Sequence, residues 1–399
     1  SSDLELAYNA ANKKEEILMK RTMKKMVSMA LTGTMAVAVL AGAGTSEVKA
    51  ADKAKIGVLV ADVSGEEAQG FRSYYENYIA GNYDVEFNYT DALQSAEDEK
   101  TAIEKFASQG CQAIISFSSN DRVQQIETCE KYGVYYAVAS GVLDDAQYET
   151  YKTYEYFAGQ VGPGNDTEFE AGKDMGAYYK EQGVSKVAIY GAFIPNPMHV
   201  YRVAGVLNGL GCTYGGESDM NAIAGQIFQD QTVDLSKVEG DVEVVSYLQG
   251  YGDTTTDELN AAIQKTPDAF ISVGMATTFF AQSLSEAGIS FSDIDSFTET
   301  NGNSMKNGTL TYLAGKYSSS IGPVFALVMN AINGNVIRDE DGNAPSISQG
   351  YLVATDSDTF DKYSVSDSGD APIYDKETLD SIIGDNVTFE DVKTLVESK

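Results

Sequence analysis

The chain of 399 residues contains one histidine, no tryptophan, three cysteines and seven prolines. Each scarcity removes a class of function. His199 stands alone, and there is no Gly-x-Ser-x-Gly, His-Glu-x-x-His, phosphate-loop or Cys-x-x-Cys motif. The chain therefore offers little machinery for catalysis, and no enzyme activity, cofactor or metal is expected. Cys111, Cys129 and Cys212 are too far apart for metal-ligand spacing, so buried small hydrophobes are expected. If any two oxidise, Cys111 and Cys129 are nearer in sequence. Basic residues are also short, 28 against 59 acidic, for a net charge of −31. The first fifty residues hold 7 basic and 5 acidic groups, leaving 21 and 54, or −33, on the remainder. That field repels nucleic acid and anionic membranes, so no nucleic-acid partner is expected. With 43% hydrophobic residues and 37 glycines, the composition is globular.

What is present begins with an export segment. Met19 opens a basic stretch (Lys20, Arg21, Lys24, Lys25), and an uncharged run follows from Met26 to Thr45. The segment closes on Val48-Lys49-Ala50, with small residues where signal peptidase needs them. A transmembrane anchor is the competing reading, but Gly and Thr interrupt the run repeatedly. Leu40-Ala41-Gly42 has the form of a lipidation signal, with Ala43 where the lipid-bearing cysteine would stand. Residues 1–18 read as an upstream translation artefact, because Lys13-Lys14-Glu15-Glu16 is what a purine-rich ribosome-binding site encodes in frame. Residues 19–50 are then the signal peptide, and an extracellular or cell-envelope location is expected.

From Ala51, roughly 350 residues are expected to form two domains. Apolar runs alternate with helical stretches. Lys55–Ala61 (KIGVLVA) reads as a strand, and Glu67–Ala80 as a helix with Phe71, Tyr74, Tyr75 and Tyr78 at i, i+3, i+4, i+7. Strand-like Tyr83–Tyr89, helical Ser95–Gln109, strand-like Ala113–Ser118, helical Arg122–Tyr132 and strand-like Tyr135–Ser140 follow. After a looser Gly-rich piece at Ala158–Asn165 the pattern restarts. Helices are expected at 169–182, 201–210, 255–265 and 277–287, with strands at 186–192, 243–248, 269–274 and 294–298. Parallel strands need crossover helices, so two α/β blocks with parallel sheets are expected. Thr311–Tyr317 and Tyr351–Thr355 read as further strands and Gly322–Ile332 as a helix. Asp339-Glu340-Asp341-Gly342-Asn343 begins like a calcium loop, but Ala344 and Gly350 stand where Gly and Glu are needed, so it reads as a surface turn.

The order of these segments resembles the type I periplasmic binding proteins, the ribose- and galactose-binding group that feeds ABC importers. KIGVLVADVSGEEAQGFRSYYENYI is similar to that family's first strand, ligand loop and helix. EDEKTAIEKFASQGCQAIISFSSND, EAGKDMGAYYKEQGVSKVAIYGA and YRVAGVLNGL resemble later segments, the last with Arg202 and Gly205 at the family's arginine and glycine. The resemblance covers residues 54 to about 355. It implies two doubly wound parallel-sheet lobes joined by three crossover strands, with solute trapped as the lobes close. The implied lobes are 54–160 with about 311–345, and 161–310 with about 346–360, followed by a helical tail at 361–399. The partners implied are a small-molecule solute and a membrane permease and ATPase, with the chain itself a monomer. Two positions depart from the family. Gly274-Met275 stands where sugar binders carry Asn-Asp, and Thr298-Glu299-Thr300-Asn301-Gly302 where they carry Gly-x-Asp-Gly.

Ligands of open α/β sheets bind beyond the carboxyl ends of the strands. Asp62, Gln69 and Phe71 follow the first strand, Asn120 the third, and Ser140 ends the fourth. In the second block, Phe193, Asn196, His199 and Arg202 fall within ten residues of a two-proline loop, and Gln249 and Tyr251 follow the next strand. Glu299, Asn301 and Lys316 lie near the expected crossovers. A forked arginine suits a hydroxyl-rich or anionic solute, although Arg202 has 54 acids to pair with instead. The expected function is capture of a small polar ring-bearing solute, carbohydrate first. A nucleoside receptor or a ligand-presenting signalling receptor would share the same physics. On this reading, peptide mass spectrometry of native material finds no peptide from Tyr8–Lys13; recovering one overturns the artefact assignment of residues 1–18.

Overall fold

The computed structural model describes residues 53–367 and 371–399. The expected export segment and the residues before it lie outside that range. Short runs of β-branched and small apolar residues, buried on both faces, form parallel strands. Numbered in chain order, the first sheet takes β1 (Ala54–Leu59), β2 (Val85–Tyr89), β3 (Ala113–Ser116), β4 (Tyr135–Ala139) and β5 (Phe157–Gly162). The second takes β6 (Lys186–Tyr190), β7 (Glu243–Leu248), β8 (Ala269–Ser272), β9 (Ser290–Ser296) and β10 (Leu310–Lys316). Each gains a late strand, β11 (Ser346–Ser348) in the first and β12 (Leu352–Ala354) in the second. The orders are β11-β5-β4-β3-β1-β2 and β12-β10-β9-β8-β6-β7. All neighbours are parallel except β12, which runs antiparallel to β10 through Ala314 and Val353.

The late strands correct the expected lobe boundaries. Leu310–Lys316 belongs to the second sheet, not the first lobe, and Ser346–Ser348 to the first sheet, not the second lobe. The chain changes lobes after these strands, because β10 is held by its register with β9 and β11 by its register with β5. The passages thus lie at about 163–164, 317–318 and 349–351. A fourth follows the helix Ser357–Asp367, whose Phe360 packs in the second core while Tyr374, Leu379 and Val392 pack in the first. Within the expected C-terminal tail, Asp361 pairs with Lys306 of the second lobe at 3.0 Å, so the start of the tail packs on that lobe.

Two further expectations change. The Gly-rich stretch at 158–165 contains a fully buried strand, β5. Gly159, at φ +130°, makes room for the Pro345 carbonyl, and Gly162 for the Gly141 backbone, so close backbone packing replaces the usual apolar signal. The helix expected at Glu67–Ala80 is an α-helix at Glu66–Ser73 that widens to a π-turn at Tyr74–Ile79. There Tyr74 Oη donates to the Tyr374 carbonyl at 2.6 Å and Tyr75 Oη to the Ile321 carbonyl at 2.9 Å, so both buried tyrosines satisfy their polar ends. The three cysteines are free and buried. The turn at Asp339 closes on itself, Asp339 accepting from the Asn343 backbone at 2.7 Å and side chain at 2.9 Å.

Helices Asn165–Glu181 and Pro197–Gly209 cross on glycines, Gly172 and Gly176 on one and Gly205 and Gly209 on the other. A Cβ at Gly172 would run into the Arg202 carbonyl, and one at Gly205 into the Phe169 carbonyl. These are backbone neighbours that cannot swing aside. Gly205→Ala should therefore lower stability in urea unfolding by roughly 1–3 kcal/mol. Gly225→Ala, in a helix with open space around its Cβ, should raise it by about 0.5–1 kcal/mol.

Candidate functional site

The loops at the carboxyl ends of β1, β3 and β4 face a cleft of about 1390 Å³, whose other wall comes from the second lobe. After β1, Asp62 accepts from the Ser64 amide at 2.9 Å and the Gly65 amide at 3.0 Å. The Ser64 backbone bond, opposed by partial burial, holds its carboxyl below the ordinary value. One turn into the next helix, Phe71 stacks on Phe117 with ring centroids 5.4 Å apart and planes at 23°, making an apolar plate. After β3, the wholly buried Glu99 organises the loop. It accepts from the Asn120 amide at 3.0 Å, the Asn120 side chain at 3.1 Å and the Asp121 amide at 2.9 Å. After β4, Ser140 adopts φ +57°, in the left-handed region, and Arg122 Nη1 donates to the Val142 carbonyl at 2.6 Å.

The second wall comes from the loop whose Ile194–Pro195 bond is cis and from the start of the helix after it. Asn196 caps that helix through Met198 N at 3.1 Å. Lys316, at the second passage, lies 3.8 Å from Glu67 of the first lobe. Glu67 also accepts from Ser296 Oγ, and Thr300 Oγ1 donates to Glu66 at 2.5 Å, so one helix end of the first lobe touches the second at three points.

Of the residues expected at the site, Asp62, Phe71, Asn120, Ser140, Asn196 and Lys316 line the cleft. The remaining eight do not. Gln69 is exposed, its amide turned back to the Ser64 carbonyl at 3.3 Å. Arg202 is buried and fully engaged: Nε donates to Glu168 at 2.6 Å, Nη1 to the Val273 carbonyl at 2.8 Å and Nη2 to Tyr351 Oη at 2.6 Å. It is a packing residue, because the fold supplies its carboxylate. His199 is buried, with Nδ1 3.1 Å from the Phe193 backbone. Burial, helped by the Arg202 charge, pushes its pKa down to about 4, so it is neutral. Phe193 and Tyr251 instead form an aromatic group with Phe279, Tyr251 lying 5.2 Å from Phe193 and stacking on Phe279 at 5.9 Å. Gln249 donates to the Gln231 carbonyl at 3.1 Å. Asn301 is buried, donating to the Ser296 carbonyl at 2.8 Å, while Glu299 opens the same helix at the surface. Beside this helix Asp295 and the deeper Asp293 have their carboxyl pKa values raised by burial.

Sequence reasoning missed Arg122, Glu67, Phe117 and Gln160, all at the cleft. Arg122 had a legible signal, as a cation at a strand–helix junction in a very acidic chain. Phe117 and Gln160 had none, since the first read as an ordinary strand residue and the second lay in the looser Gly-rich stretch.

No family model and no curated protein matches this sequence. Solved structures do match. A solute-binding protein of an ABC transporter from Actinobacillus succinogenes 130z, with bound D-allose, aligns at TM-score 0.59 and 16% identity over 78% of this chain and all of the other. One from Bacillus halodurans C-125, with bound myo-inositol, aligns at TM-score 0.55 and 17% identity over 79% of this chain and 99% of the other. The arabinose-transporter component from Shewanella sp. ANA-3, bound to L-arabinofuranose, aligns at TM-score 0.54 and 16% identity over 77% of this chain and 93% of the other. The fold is that of the type I periplasmic binding proteins. In this type I fold the cleft described above lies between the lobes, and the structural neighbours are substrate-binding proteins. Among the described residues no helix is long and apolar enough to cross a membrane.

Removing one partner of a buried ion pair strands the other charge. Glu168→Ala should therefore lower the unfolding free energy by about 3–5 kcal/mol. Tyr351→Phe, which removes the bond received from Arg202 and the one given to Glu168, should cost at least about 1.5–3 kcal/mol in the same denaturant titration.

Proposed function

We propose that this chain is an exported receptor that captures a small polar ring-bearing solute, carbohydrate first, between its lobes for ABC-type import. The observation that carries the proposal is the cleft itself. It joins an apolar ring platform, Phe71 on Phe117, to polar groups from both lobes, among them Asn120, Arg122, Asn196 and Lys316. An apolar face with a few placed polar groups is how proteins hold small polar ring compounds. The volume, about 1390 Å³, exceeds the roughly 300–1,000 Å³ of ordinary ligand pockets. It therefore corresponds to lobes held apart, ready to close by hinge motion around a solute. The three structural neighbours with bound D-allose, myo-inositol and L-arabinofuranose support a carbohydrate as the first choice.

The rest of the reading follows from that role. A permease and ATPase would receive the loaded protein at the lobe tips, and the strongly acidic, monomeric chain would stay soluble on the outer side of the membrane. Catalysis is not part of the proposal. The single histidine is buried against the Phe193 backbone and away from the cleft, and an acyl or phosphoryl transfer site needs a nucleophile with a reachable base.

Melting of the full chain against monosaccharides, disaccharides, nucleosides and amino acids tests this. A true solute at about 100 times its Kd adds roughly 2.7 kcal/mol, which raises Tm by several degrees. A selective shift with sugars is the expected outcome. A shift with nucleosides alone replaces the carbohydrate, and no shift with any class in ligand-free protein overturns the receptor reading.

A further inference from the structure

Four arginines lie among the described residues, and three are held by a carboxylate or by several carbonyls. Arg72 forks onto Glu76 with two bonds of 3.0 Å. Arg202 is held by Glu168, Val273 and Tyr351. Arg338 donates to four backbone carbonyls, those of Tyr154, Glu155, Phe157 and Ile337. Arg122 differs. A guanidinium carries five N–H donors, yet Arg122 makes a single bond, from Nη1 to the Val142 carbonyl at 2.6 Å. Its Nε is buried with no acceptor.

No acid compensates it by contact. Asp121 spends its carboxylate on Gln124 N at 2.9 Å, and Glu99 is filled by Ser118, Asn120 and Asp121. Glu99 acts on Arg122 only through its field, and burial lowers the arginine's pKa. The surroundings are shaped for the head group. Gly141 leaves the space beside Nη2, where a Cβ would come to 3.0 Å. Ser140 just before it holds a left-handed φ of +57°, a strain that clusters at ligand clamps. Arg122, Ser140, Gly141 and the Phe71–Phe117 platform line one cleft.

Arg122 is half-buried at the cleft with most of its donors unmet, and a partly desolvated charge is normally met by an opposite one. We infer that the solute supplies it: the ring-bearing ligand is a carboxylated sugar of the hexuronate class, its carboxylate seated on Arg122. A carboxylate brings acceptor oxygens and one compensating charge in a single group, and guanidinium is its matched donor. One arginine among many acids suits a monoanion better than a phosphate dianion. This inference rests on the solute-receptor reading and names its substrate class.

Calorimetric titration of the full chain with D-galacturonate and D-glucuronate, beside D-galactose, D-glucose and D-glucose 6-phosphate, is the test. At least one uronate should bind about tenfold or more tighter than its parent hexose, the worth of a charge-assisted hydrogen bond. Arg122→Gln should erase that preference, uronate affinity falling about tenfold further than parent-hexose affinity, and Arg122→Lys should restore part of it. Circular dichroism confirms that each variant is folded, and the wild-type comparison stands without them. Hexoses binding as tightly as uronates, or a preference that survives Arg122→Gln, overturns the inference while leaving the receptor reading intact. Tighter binding of glucose 6-phosphate overturns the choice of carboxylate. Absence of binding by all five removes the hexuronate inference, and the wider melting panel then decides separately whether the receptor reading survives.

Discussion

The buried ion pair of Arg202 and Glu168 is the contact on which the second lobe and its link to the first depend. Its four participants come from four places: the helix after the first passage, the helix Pro197–Gly209, the carboxyl end of β8 and the third passage at Tyr351. Such a pair survives burial only when its geometry is good and its remaining polar atoms are satisfied. Here Tyr351 Oη sits 3.0 Å from both Glu168 oxygens while it receives Arg202 Nη2. The glycine crossing is the precondition. Gly172 lies against the Arg202 carbonyl, so the two helix backbones approach closely enough for the guanidinium to meet a carboxylate one turn earlier. The same guanidinium fixes the Val273 carbonyl and with it the backbone entering Gly274-Met275.

This buried pair pins the second lobe to the third passage. The contacts that bridge the lobes elsewhere are of a different kind. Lys316 to Glu67 is 3.8 Å long, and Thr300 to Glu66 lies at the exposed surface. Such pairs are worth about 0–1 kcal/mol, so they can be remade as the lobes move. The buried tie at the fourth passage is stronger, because Asp367 accepts from Ser319 and from the Ile373 amide under the tail. The closure proposed above would remake the exposed contacts and leave both cores as they are.

Much of this architecture was legible in the sequence. Arg122–Tyr132, Glu243–Leu248 and Gly322–Ile332 appear at their expected bounds, because apolar period and flanking caps agreed there. The failures share a cause. β5 is built on two glycines that touch backbone, and β9 (SFSDIDS) buries Ser292 and Asp293, so neither shows a continuous apolar run. The lobe boundaries went wrong because strand partners are set by register across hundreds of residues, which no local pattern reports. Loop position pointed to Asp62, Phe71, Asn120 and Asn196, which line the cleft. It could not tell which polar side chains the fold itself would consume.

Two arginines make that last difference concrete. Arg122 and Arg202 are both cations near helix starts that follow strands, and both stand in a chain with a large excess of acid. Local sequence favoured Arg202, whose neighbours Phe193, Asn196 and His199 looked like a converging site. The fold reverses the order. It brings Glu168 to Arg202 from thirty-four residues away and brings no carboxylate into contact with Arg122, because the acids around Arg122 cap turns and helices of their own. An arginine's role is thus decided by whether tertiary structure delivers its counter-charge. Where it does, the residue stabilises the protein. Where it does not, the unmet donors define what the cleft must be given from outside.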